Sequence, residues 1–177
     1  MTPAAFHPMA RLLHWTMAVL ILAMLFIGAS MVGDLSPRHP LLVELHKATG
    51  LALLLLVLLR IALRLALPHP ALPDDLPRLQ RLAASASHLL LYGLMLGMPL
   101  LGWAMLSAGG YPRPLQLPAI APHDLQLYAV LRQAHSWAGY LLFATVLLHL
   151  AAALVHALVR RDGILHSMWP GPLRRGE

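Results

Sequence analysis

The stretch RQAHSWAGYLLFATVLLHLAAALVHALVR, residues 132–160, carries charge only at its two ends and histidine at 135, 149 and 156. An uninterrupted apolar run of this length exceeds the roughly 20 residues that an α-helix needs to cross a bilayer. His135 and His149 stand fourteen positions apart. At about 100° per residue they return to one face, and at 1.5 Å of rise per residue they lie roughly 21 Å apart along the axis. One therefore sits near each membrane surface, on a single stripe. They are too far apart to share a metal, so each needs a partner from another helix.

Working outward, three more such stretches appear. Residues 12–33 lack Asp, Glu, Lys and Arg apart from what flanks them, and the run is too long for the apolar region of a cleaved signal peptide. It is read as a retained helix over about 11–33. A second helix, about 41–67, centres on Leu51–Leu59, and Glu44, Lys47, Arg60 and Arg64 near its ends are long enough to snorkel. Pro68, Pro70, Pro73 and Pro77 then forbid helix. A third helix covers about 81–108 with Pro99 inside, which predicts a kink. Four prolines make residues 109–122 an irregular loop, the fourth helix spans about 132–160, and a short polar tail follows.

Composition agrees. Of 177 residues 59% are hydrophobic and 11% charged, less than half the roughly 25% of a soluble domain. That excludes a two-domain soluble enzyme and a disordered chain. The expectation is one transmembrane domain over 1–177, an all-α integral membrane four-helix bundle. With the N-terminus inside, the cytoplasmic side collects Arg11, Arg60, Arg64, Arg78, Arg81, Arg160, Arg161, Arg174 and Arg175, against Arg38, Lys47, Arg113 and Arg132 outside. Nine against four places both termini in the cytoplasm. The net charge of +6 follows from this bias and needs no nucleic-acid partner.

There is no cysteine, so disulfides, thiolate sites and iron–sulfur clusters are excluded, and eleven histidines remain to hold any cofactor. His46 opens the second helix on the outer side, level with His135. His14 opens the first on the inner side, level with His149. Two imidazole pairs, each bridging two helices at one depth, are what two bis-histidine haems in a bundle require. A flat macrocycle also needs a small neighbour one turn beyond each ligand. Ala18 follows His14, Gly50 follows His46, Gly139 follows His135 and Ala153 follows His149. Tyr92 and Arg160 stand at that spacing from His88 and His156, which fit a haem poorly. His7, His39, His69, His123 and His166 fall in loops or tails and are read as solvated.

The segments Arg11-Leu12-Leu13-His14-Trp15, His46-Lys47-Ala48-Thr49-Gly50, Arg60 with Arg64, Leu91-Tyr92-Gly93-Leu94-Met95 before Pro99, His135, His149, His156 and Arg161-Asp162-Gly163-Ile164-Leu165 together resemble the bacterial cytochrome b561 family, from about Arg11 to about Pro170. The resemblance implies a multi-pass protein of the bacterial inner membrane with two haem b groups, exchanging single electrons with ubiquinone. It also implies superoxide oxidase activity, that is, superoxide:ubiquinone oxidoreduction. Ala157 departs from relatives with a second adjacent histidine there. On this reading Arg38, Lys47, Arg113 and Arg132 steer superoxide, a small anion, to the outer mouth, or Lys47, Arg113 and Arg132 contact haem propionates. His88, His156, Arg81 and Arg160 bind a quinone carbonyl or deliver a proton on the inner side, or the two histidines are simply satisfied within the bundle. Arg11, Arg60 and Arg64 pair with haem propionates or lipid phosphates.

Two other classes compete. One is a haem b anchor and electron conduit for a partner oxidoreductase of the hydrogenase or formate dehydrogenase type. Short loops favour an independent protein with no obligatory protein partner. The other is a haem-free transporter of metal or protons, which would need polar groups at the bilayer centre where this sequence is almost purely apolar.

Overall fold

The computed structural model describes residues 5–33, 35–68, 70 and 76–169. The sequence readings at His69, Pro73, Arg174 and Arg175 lie outside the described residues. Four long helices, α1 (Pro8–Ser30), α2 (His39–Ala66), α3 (Arg78–Ala108) and α4 (Leu125–Leu154), are each long and apolar enough to cross a membrane. The last continues as a π-helical turn over Val155–Arg160 and is followed by a short α5 (Ile164–Met168). No strand occurs among the described residues.

Local chemistry sets where each helix starts. Pro8 occupies the first turn of α1, and the His7 ring accepts the Met9 N–H at 3.3 Å. Asp124 caps α4, its carboxylate accepting the backbone N–H groups of Gln126 (2.8 Å) and Leu127 (3.0 Å). For this reason α4 begins at Leu125, well ahead of the start near Arg132 that counting charges had indicated: a cap, not the last cation, ends a loop. α3 runs unbroken through Pro99.

The helices alternate in direction, so α1 begins and α4 ends at one pole, here the terminal end. Close backbone packing joins α1 to α2, α3 to α4 and α2 to α3, while the α4 backbone stands off from α1 and α2. The gap is closed by side chains. Leu13, Met17 and Ile21 of α1 meet Leu53, Leu54 and Val57 of α2 and Leu142 of α4 in the central core, and Val57 is wholly buried. Phe26, Leu89 and Leu148 point outward with 71%, 76% and 71% of their surface exposed, as lipid-facing side chains must.

Both ends are more ordered than a loop and a tail. At the far end, Trp103 donates to Pro118 O (2.9 Å), Ile120 N–H to Ser107 Oγ (3.2 Å), and Asp124 N–H to Ala108 O (3.0 Å). A 3₁₀ turn at Pro114–Gln116 places Leu115 and Gln116 at φ of 50° and 54°. His123 is not merely solvated, since its Nδ1 bonds Ala108 O at 3.0 Å. At the terminal end α5 folds onto the start of α1. The Phe6 N–H donates to Ser167 O (3.1 Å), Arg11 Nη1 to Trp169 O (2.7 Å) and Trp15 Nε1 to Met168 O (2.8 Å). Arg11, read from sequence as an anion partner, is thus a strut of this cap.

Replacing Asp124 by Ala removes both cap bonds of α4, for which the usual loss is about 1 kcal/mol. The expected outcome is a lower melting temperature of the purified protein in detergent, with the far-end loop as the first region to exchange amide hydrogens.

Candidate functional site

The histidines paired from the sequence meet in space. His46 of α2 and His135 of α4 face each other near the far end with ring centroids 6.1 Å apart. His14 of α1 and His149 of α4 do so near the terminal end at 6.3 Å. Both pairs cross the gaps where α4 stands off from its partners. An iron held about 2 Å from one nitrogen of each ring would set the centroids roughly 6 Å apart, so both spacings fit a bis-imidazole iron. Among the described residues no group of three or more His, Cys, Asp or Glu is arranged to hold a bare metal ion.

The far-end pair shows how a macrocycle would be admitted. A Cβ added to Gly28 of α1 would lie 3.5 Å from His46 Cε1, and one added to Gly102 of α3 would lie 3.4 Å from His135 Cε1. Gly50 and Gly139, one turn beyond the histidines, look onto the Met24 and Met98 methyl groups at 3.7 Å by the same measure. Each hairpin therefore repeats one device: Met-x3-Gly on its first helix against His-x3-Gly on its second. Sequence reading found the two His-x3-Gly halves and missed the other two. The signal was there, in the matched spacing of Met24 to Gly28 and Met98 to Gly102. Glycine leaves room beside each imidazole, and methionine is flexible enough to yield it.

The terminal-end pair carries more polar company. Arg60 Nη2 lies 3.1 Å from His14 Nδ1, and Arg60 Nη1 reaches Ala10 O at 3.4 Å. A guanidinium only donates, so the His14 proton sits on Nε2 in this arrangement. Were His14 to hold an iron through Nε2, its proton would move to Nδ1 and Arg60 would turn to other acceptors such as Ala10 O. His88 approaches His149 rather than His156, with centroids 5.6 Å apart.

His156 belongs to a separate cluster, where its Nδ1–H donates to Asp162 Oδ2 at 2.5 Å. Arg160 Nε reaches the same oxygen (3.3 Å), and its Nη1 reaches Gln80 of α3 (3.3 Å). Arg81, one residue on, donates to Leu76 O at 3.4 Å. The π-helical turn presents His156, and left-handed backbone at Arg161 and Gly163 swings Asp162 back toward it. Partial burial pushes the Asp162 carboxyl up, but hydrogen bonds from His156, the Ile164 N–H and Arg160 outweigh it and hold it below its ordinary value of 3.8.

The cations assigned to the far mouth are not all free. Lys47 Nζ pairs with Glu44 at 2.6 Å and donates to Pro112 O at 3.2 Å. Arg113 Nε bonds Leu117 O at 2.7 Å, which anchors the side chain without neutralising it. Arg38 and Arg132 are exposed.

A depressed carboxyl pKa stabilises the fold above the ordinary value, and the contribution is lost as pH falls through the lowered one. The terminal-end cap should therefore stay docked through the ordinary carboxylate range and loosen only below 3.8. Trp15 and Trp169, whose rings pack edge-on at 5.9 Å, report this by fluorescence. Asp162→Asn should abolish the acid transition and leave the cap looser at neutral pH. A transition unchanged in the Asn variant would show that another group governs it.

Comparison with known proteins fits this geometry. The prokaryotic cytochrome b561 family matches residues 5–171. The chain is 27% identical to cytochrome b561 homolog 2 of Escherichia coli K12 over 174 residues, covering 94% of this chain and 92% of that protein. It is 29% identical to cytochrome b561 homolog 1 of the same organism, over 89% and 93% of the two chains. It is 28% identical to a protein of Yersinia pestis named probable superoxide oxidase CybB, over 89% and 92%. With four membrane-spanning helices and a family match over nearly its whole length, the chain is a multi-pass protein of the bacterial inner membrane, a membrane electron-transfer protein, and belongs to the prokaryotic cytochrome b561 family.

Proposed function

We propose that the chain is a di-haem b cytochrome that passes single electrons from superoxide, outside, to ubiquinone near the cytoplasmic side. The observation that carries this reading is the pair of histidine pairs, each at iron-bridging separation and each spanning a gap in the bundle. His46 and His135 would hold one haem, and His14 and His149 the other. When bound, haem b would supply one-electron redox chemistry. The excess of arginine and lysine supports placing the terminal end in the cytoplasm.

The chain's own residues do the rest. Arg38, Arg113 and Arg132 give the far mouth a positive field that draws a small anion, while Lys47, neutralised by Glu44, adds little. At the other end the His156–Asp162 pair, with Arg160 on the same carboxylate and bonded to Gln80 next to Arg81, holds a hydrogen-bonded N–H, which suits protonation of a reduced quinone. The name of the Yersinia relative supports superoxide as the donor. No obligatory protein partner is needed for this path.

His46→Ala and His135→Ala should each lose the same haem and keep the other, whereas His14→Ala and His149→Ala should each lose the second. Haem per chain and the reduced-minus-oxidised spectrum check this, and two haems retained in any of the four refutes its assignment.

Haem reduction by superoxide should slow as added salt shortens screening to about 8–10 Å, and slow further in Arg113→Gln with Arg132→Gln at unchanged haem content. Stopped-flow measurements at two ionic strengths decide it. Rates indifferent to salt and to both arginines, with fast reduction only on adding a partner protein, would establish a docked conduit instead.

A further inference from the structure

The terminal-end site holds one imidazole more than the far-end site. His88 of α3 lies edge-on to His149, with ring centroids 5.6 Å apart and planes at 65°. The separation is shorter than the 6.3 Å of His14 and His149. It is also below the roughly 6 Å that an iron bridge sets, and it brings the edges of the two imidazoles side by side. Tyr92 stands one turn beyond His88, where the other four paired histidines have glycine or alanine. No hydrogen bond to another group is made by the His149 ring among the described residues. Histidines that ligate a metal almost always donate their second N–H to an acceptor, which fixes the ring and makes the ligand more basic.

The geometry points to His88 as the positioning residue for His149: its neutral ring accepts the His149 N–H that faces away from the metal and holds the ligand's plane. This rests on the ligand assignment proposed above. His88 thereby acquires a role distinct from that of His156, with which the sequence reading had grouped it. It also makes the two sites unequal, because no third ring approaches His46 or His135 among the described residues, and His46 Nδ1 is buried without a hydrogen-bond partner. A more basic ligand favours ferric iron, so the contact lowers the reduction potential of the haem at the terminal end.

The test compares His88→Ala and His88→Gln in the full, haem-loaded chain by redox titration and by the ferric low-spin electron paramagnetic resonance signal. Both variants should keep two haems per chain. In the Ala variant the potential of one haem should rise and its ferric signal should shift, while the other haem is unmoved. Gln, which retains an acceptor oxygen, should return both readouts toward the parent. An Ala variant with potentials and signals identical to the parent overturns the proposal. If His88→Ala loses a haem while His14→Ala keeps both, His88 is itself the ligand, and the ligand assignment falls together with the positioning role.

Discussion

Residues i and i+14 of an α-helix return to one face, and α4 carries both histidine levels on that coincidence. Everything else in the bundle accommodates it. His135 and His149 share a stripe, yet their partners come from different helices, α2 at one level and α1 at the other. Because each pair needs space between its helices, the α4 backbone stands away from α1 and α2 while packing closely on α3. Leu142 lies seven residues from each histidine, two turns either way, and is buried in the central core. It divides the gap into two compartments, with Met17, Ile21 and Val57 sealing the middle against water.

The two compartments are built by different means. The far-end one is made by removal of side chains: four glycines and two yielding methionines surround two imidazoles, and both hairpins use the same pattern. The terminal-end one relies on alanine for clearance and adds polar groups, with Arg60 against His14 and His88 against His149. Isolated charges in a low-dielectric setting act strongly on neighbouring groups, so the two histidine pairs need not behave identically. The far-end loop shows the opposite use of charge. There Lys47 is paired with Glu44, while Arg113 keeps its charge and bonds a backbone carbonyl, and both side chains brace the loop.

Much of this was legible in the sequence because membrane helices obey few rules and obey them strictly. Long charge-free runs located the spans, and helical periodicity with alternating direction put His46 opposite His135 and His14 opposite His149. What escaped was local and polar. The start of α4 depends on Asp124, an acid in a proline-rich segment that charge counting treats as loop. The proline-rich stretch from Gly109 to Pro122 is irregular apart from one turn, as expected, but the backbone acceptors that hold Trp103 and Arg113 there cannot be seen in one dimension. The grouping of His88 with His156 followed from their shared failure to admit a macrocycle, a property that says what a residue is not. Only packing shows that one leans on a histidine and the other on Asp162.

The cap formed by α5 ties residues near the beginning of the bundle to residues beyond its fourth span. Phe6, Arg11 and Trp15 wait for Ser167, Met168 and Trp169, which emerge from the ribosome only after all four helices have been made. The α1–α2 hairpin can insert and pack early, since its contacts are local. The compartment around His14 cannot close until the last segment arrives. The order of synthesis thus leaves this compartment open longest, an interval in which a bulky cofactor can enter before the ends of the chain fasten together.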